Sequence, residues 1–251
     1  MWHFSSFNHD AGTKGATMTN VTVPSSPLPS NGVAPALLFH AVSSGELALD
    51  QGEGGGNPFA SALIETLARP QARLGELPDA LRTLTEVKSA GYMTADVPAA
   101  VTPVDWPLVS RGAENRKALV LVISDYEKAG LTSLAGAAHD AGRIATALTE
   151  AGFATKTVLD LDQAGIEDEL IAFGAESRSA DAAVIYTTGH GVEVDGRVYL
   201  LPADYPAQQG NAALATCAMP LREIAASIQA RAVNLVFYGG CREDSSAAAC
   251  P

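Results

Sequence analysis

From Lys117 to Tyr238 the chain alternates continuous apolar runs with amphipathic ones, and this order constrains the fold more than any other feature. Ala118–Ser124, Phe153–Leu159, Asp181–Thr188 and Val233–Tyr238 read as strands. His139–Ala151, Ala164–Ala175 and Leu221–Gln229 read as helices. Strands that are apolar at every position are buried on both faces, and helical crossovers between them give a parallel sheet covered on both sides. Val192–Leu201 breaks the pattern: it alternates around Asp195-Gly196, the turn chemistry of a two-stranded hairpin.

The first hundred residues have another style. Residues 1–35 are rich in Ser, Pro, Gly, Asn and Thr and read as a flexible tail. Leu37–Val42 is a short apolar strand, followed by a glycine-dense loop from Gly52 to Gly56. Asn57-Pro58 then opens a helix carrying Phe59, Leu63, Ile64 and Leu67, and a second helix spans Glu76–Ala90. Trp106–Val109 reads as an edge strand, and residues 110–116 as a linker.

The 251 residues, 47% apolar, suffice for one substantial core. A formal charge of −12 argues against nucleic acid and against anionic membrane surfaces. There is no long apolar run and no secretory layout at Met1–Asn20, so a cytoplasmic location is expected. The three cysteines, Cys217, Cys241 and Cys250, do not make a disulfide framework and leave room for one reactive thiol.

Ligands of open parallel sheets bind beyond the carboxyl ends of the strands, and two segments lie there. Thr188-Gly-His190-Gly191 follows the third strand of the alternating region, and Tyr238-Gly-Gly-Cys241-Arg242 follows the fourth. A thiol with an ordinary pKa of about 8.5 becomes a working nucleophile beside an imidazole that takes its proton. Cys241 is thus the expected nucleophile and His190 the general base and acid, with the N–H groups of Gly191 and Cys241 as an oxyanion hole. No metal or other cofactor is needed. The acids from Asp160 to Glu169 lack the ordered spacing of a calcium loop and read as a solvated helix face, although calcium activation stays open.

Tyr186-Thr-Thr-Gly-His190-Gly with Asp195-Gly-Arg-Val-Tyr199-Leu-Leu-Pro202-Ala-Asp204 resembles the histidine motif of bacterial caspase homologues and metacaspases, and Cys241-Arg242 resembles their cysteine motif. The two residues stand 51 positions apart (241 − 190), close to the roughly 50 of caspases. The resemblance implies a three-layer caspase-haemoglobinase-like fold with a mostly parallel six-stranded sheet, and cysteine endopeptidase activity on a peptide or protein substrate, as monomer or homodimer. It places Asp140 beneath a substrate Arg or Lys, although a carboxylate that only stabilises its own helix is the alternative. Two departures stand out. The family's pocket Asp two residues before the cysteine is Gly239 here, which weakens a basic preference and keeps open an inactive caspase-fold scaffold or peptide-binding module. The chain also ends ten residues after Cys241. The elements that follow the cysteine in the family look like Leu38–Asp50, including Ser43 and Ser44 as substrate-side residues, and Gly56–Leu63. The resemblance thus implies a circular permutation: residues 36–109 as the small-subunit-like half, 110–116 as linker, and 117–251 as the large-subunit-like half of one domain. A linker of seven residues reaches about 23 Å, enough for the about 19 Å of four strand spacings.

Overall fold

The computed structural model describes residues 33–52, 54–110, 112 and 114–242. The expected tail over 1–35 therefore lies outside the described residues except for its last three, as does the chain after Arg242. In chain order the elements are β1 (Ala36–His40), α1 (Pro58–Leu67), α2 (Leu77–Lys88), β2 (Arg116–Val122), α3 (Ala135–Glu150), β3 (Ala154–Leu159), α4 (Gln163–Ser177), β4 (Ala182–Thr188), β5 (Gly191–Val194), β6 (Arg197–Leu200), α5 (Leu214–Cys217), β7 (Met219–Pro220), α6 (Leu221–Ser227) and β8 (Val233–Tyr238). A wholly parallel sheet runs β1-β8-β4-β2-β3, and a small antiparallel sheet runs β5-β6-β7.

The central strands β4 and β8 are buried along their whole lengths, as their apolar runs demand. The expected strand at Leu37–Val42 is β1, and it pairs in parallel with β8, Leu37 beside Leu235 and Phe39 beside Phe237. Phe39 and Phe59 both contact the Phe237 ring, at centroid distances of 5.1 and 6.5 Å. The N-terminal elements and the alternating region thus share one core.

The main sheet has five strands among the described residues, where six were expected. Between α2 and β2 the described residues meet β1 at one bridge, between His40 and Asp96. Pro98, Pro103 and Pro107 follow at close intervals, and a residue without an N–H cannot carry a ladder. The edge strand expected at Trp106–Val109 is irregular instead, pinned by the first residue of β2. Buried Arg116 lies 5.6 Å from the Trp106 ring centroid and 5.4 Å from that of Phe153. Its guanidinium also donates to the carbonyls of Leu108 and Pro107, each at 2.8 Å. Arg116 therefore belongs to β2 rather than to a linker.

Helix α3 starts four residues before the expected His139, at Ala135. Its first N–H groups find a cap far away in sequence: Asp50 accepts from Gly136 at 2.8 Å and Ala137 at 2.9 Å. The hairpin forms as its turn residues require, with Asp195 at φ 50° and Gly196 at φ 71°. Asp160, first of the acids weighed for calcium, takes a left-handed conformation after β3. One of its oxygens accepts from the backbone of Ser124 and Asp125, so it clamps the loop after β2.

Candidate active site

Thr187 pairs with Tyr238, so His190 and Cys241 leave neighbouring parallel strands at the same level, each three residues on. The two loops touch. A Cβ placed on Gly191 would fall 3.0 Å from the Cys241 carbonyl oxygen and 1.6 Å from the Tyr238 hydroxyl, so only glycine fits there.

The histidine is held by the alternating region. His190 and Leu201 face each other at the end of the β5–β6 ladder, and Leu201 N–H donates to the His190 carbonyl at 2.9 Å. The reciprocal bond is replaced by the buried Tyr126 hydroxyl. It accepts from His190 N–H and donates to the Leu201 carbonyl, both at 2.8 Å. The Tyr126 ring also packs edge-on against the imidazole, 4.6 Å between centroids. Nε2 of His190 lies 2.6 Å from the Thr132 carbonyl oxygen. A carbonyl only accepts, so Nε2 carries the proton and Nδ1 keeps its lone pair. Burial lowers the His190 pKa below its ordinary 6.5, opposed by the Thr132 carbonyl and by Asp50.

The cysteine is held by the N-terminal elements. Ala48 N–H donates to Cys241 Sγ at 3.3 Å. Arg242 pairs through its backbone with Gly45 and Glu46, at 3.0 Å each way. Its guanidinium binds Glu193, Asp96 and the Val42 carbonyl. Asn57, the N-cap of α1, donates to the carbonyls of Gly239 at 3.1 Å and Leu49 at 2.8 Å. Cys241 is 2% exposed and disulfide-bonded. Cys217 is a free thiol.

Of the expected oxyanion donors, Gly191 N–H points away from β6. In an antiparallel pair the bonded positions alternate, and His190–Leu201 already takes one, so Gly191–Leu200 is a non-bonded pair. The expected pocket residues are scattered. Asp140 is fully buried and accepts from Asn57 N–H and from Arg143, both at 2.7 Å. Burial raises its pKa to about 6 against the pull of those partners. Ser43 Oγ bonds the Thr94 carbonyl, and Ser44 Oγ bonds Glu193 at 2.8 Å. A Cβ on Gly239 would lie 2.9 Å from Thr188 Oγ1 and 3.1 Å from the Tyr186 hydroxyl, so an acid there would displace both.

The cleft beside Cys241 is lined by Ala48, Asp50, Asn57, Leu134, Thr188 and Gly240 among others, and Asp50 supplies its carboxylate. Tyr126, Thr132 and Asp50 went unread in sequence. Thr132 acts through its backbone and leaves no side-chain signal, while Tyr126 and Asp50 act across 64 and 86 positions. Among the described residues no group of three or more His, Cys, Asp or Glu side chains is arranged to hold a metal ion, and no helix is long and apolar enough to cross a membrane.

A search of curated proteins finds no match. The family model of the caspase domain matches residues 115–249, more than half of the chain, including both motif loops. The chain belongs to the caspase domain family, whose members are cysteine peptidases.

Proposed function

We propose that this chain is a cysteine endopeptidase that cleaves peptide bonds through Cys241 and His190. The observation that carries the reading is the bond from His190 Nε2 to the Thr132 carbonyl, which leaves the lone pair of Nδ1 free to act as a base. Once an external dithiol has reduced its disulfide, being oxidised to a disulfide itself, the Cys241 thiol gives its proton to Nδ1, and the sulfur attacks the substrate carbonyl carbon. Gly191 and Cys241 N–H hold the developing oxyanion. The imidazolium protonates the departing amine, leaving a thioester. Water, deprotonated by the same nitrogen, hydrolyses it and restores the thiol.

Asp50 is the acid that favours Arg or Lys on the acyl side, because it lines the cleft and a carboxylate accepts more than the two N–H bonds it already takes. Asp140 acts on the site through Asn57 and Arg143. The parallel pairing of β1 with β8 supports a circular permutation, with residues 36–109 as the small-subunit-like half and 117–251 as the large-subunit-like half.

The second reading is a caspase-fold scaffold that binds without cutting. The cleft beside Cys241 holds only about 10 Å3, room for one water at most, and the cysteine is disulfide-bonded. Fluorogenic peptides ending in Arg, Lys or Asp, offered with and without dithiothreitol, separate the two. The peptidase hydrolyses the basic peptides after reduction, and Cys241→Ala and His190→Ala abolish turnover while the fold persists. Absence of turnover after confirmed reduction of Cys241 leaves the scaffold.

A further inference from the structure

Beside Arg242 lies a cavity of about 240 Å3, bounded by β1, the β5–β6 turn and the start of α6. Its polar lining is cationic: Arg197, Arg222 and Arg242, with His40. In a chain of net charge −12 such a concentration needs a counter-ion. Arg242 has Glu193 and Asp96. Arg197 and Arg222 form no ion pair among the described residues, and so two guanidinium charges face this cavity uncompensated.

His40 supplies an independent observation. It is 9% exposed, lines the cavity, and its Nδ1 is buried without a hydrogen-bond partner. An orphaned buried ring nitrogen is costly, and a bound acceptor relieves it. Burial and the Arg242 charge depress the His40 pKa to about 4, so the ring is neutral and offers one N–H.

We propose that this cavity binds a phosphoryl group, seated between the Arg197 and Arg222 guanidiniums with an oxygen accepting from His40 Nδ1–H. Two unpaired cations balance a dianion rather than a single carboxylate, and the planar guanidinium fork matches phosphate oxygens. The cavity volume exceeds what one phosphate fills, so a small phosphomonoester fits as well as the free ion. The site is independent of peptide cleavage, since none of its ligands takes part in that chemistry.

Calorimetric titration at constant ionic strength tests it, with inorganic phosphate in one arm and adenosine monophosphate in the other. The wild-type chain binds one equivalent with a Kd tighter than about 1 mM. Arg197→Gln/Arg222→Gln weakens binding at least about tenfold, the loss of one to two charge-assisted bonds. Arg82→Gln, an exposed position on α2, leaves it unchanged. Arg197 and Arg222 are both exposed and form no ion pair among the described residues, and each single variant is carried beside the double variant to show a graded loss on a folded chain. Saturating phosphate also shifts the His40 ring 15N resonances. Tighter binding of the monoester identifies a small phosphorylated molecule as ligand, and equal binding identifies phosphate itself. No saturable heat in either arm, or equal affinity in wild type and double variant, overturns the proposal.

Discussion

The two loops of the site are held in opposite ways. His190 is positioned from within the alternating region: Tyr126 and Thr132 lie in the loop between β2 and α3, inside the segment matched by the caspase domain model. Cys241 and its neighbours are positioned largely from outside that segment, by Gly45, Glu46, Ala48 and Asn57, with Glu193 and Tyr238 contributing from within it. The difference teaches that the matched segment holds the histidine loop by itself, whereas the cysteine loop also needs residues that precede the segment. Cys241 depends on contacts across as many as 193 positions, so the N-terminal elements are part of the site and not an appendage.

Removing residues 36–109 has the largest effect. Deletion strips β1 from β8, exposes Phe237, and leaves Arg116 without its two carbonyl partners and the Trp106 ring. Phe39, Phe59 and Leu63 alone withdraw about 2 kcal/mol of burial each, against a total stability of about 5–15 kcal/mol. The shortened chain is expected to lose its cooperative urea transition by circular dichroism. A sharp transition in residues 114–251 alone would break the comparison, because the alternating region would then be autonomous.

Asn57→Ala comes next. It removes the cap of α1, worth about 1 kcal/mol, and strips the donor from the buried Gly239 carbonyl and the half-buried Leu49 carbonyl, about another 1–2 kcal/mol. The expected signature is a lower urea midpoint with faster alkylation of reduced Cys241, because the loop before the cysteine is freed. Tyr126→Phe is smaller, about 1–2 kcal/mol, the loss of one hydroxyl that bridges His190 N–H and Leu201 C=O. It loosens the histidine loop only, so alkylation of reduced Cys241 stays near the wild-type rate while peptide turnover falls. The two substitutions share no partner and their stability losses should add within about 0.5 kcal/mol. Strong non-additivity would mean that the loops are one unit.

This division also explains what was legible in the sequence. Continuous apolar strands, the Asp195-Gly196 turn and the Asn57-Pro58 helix start are local signals, and β2, β4, β8, the hairpin and α1 followed from them. The start of α3 did not, because its cap is a carboxylate 86 positions away. The sixth strand failed for a related reason. Trp106–Val109 is apolar enough for an edge strand, but buried Arg116 captures its carbonyls and holds it off the sheet. At the site, His190 stood out between two glycines and Cys241 after two glycines, each just beyond a strand end. The supports of those residues are backbone atoms and long-range carboxylates, which carry no motif. Gly239 looked like a missing acid. In the fold it is the position where a side chain would run into Thr188 and Tyr186.

The smallest effect expected concerns protonation of the base, where the two regions meet through Asp50. In the proposed mechanism His190 works only as the neutral imidazole, so kcat/KM is expected to fall as pH drops through its pKa. Burial disfavours the imidazolium and is the largest influence, placing that midpoint below the ordinary 6.5. The Thr132 carbonyl and the Asp50 carboxylate both favour the charged ring and hold the midpoint from falling further. Asp50→Asn removes one of these while keeping an oxygen that accepts an N–H from the start of α3. The acid limb of kcat/KM should therefore move to still lower pH. Any loss of substrate affinity for Arg or Lys changes the height of the profile and not the position of that limb. A limb that stays in place, or moves up, would mean that Asp50 does not act on His190, and that base and nucleophile are tuned by separate regions.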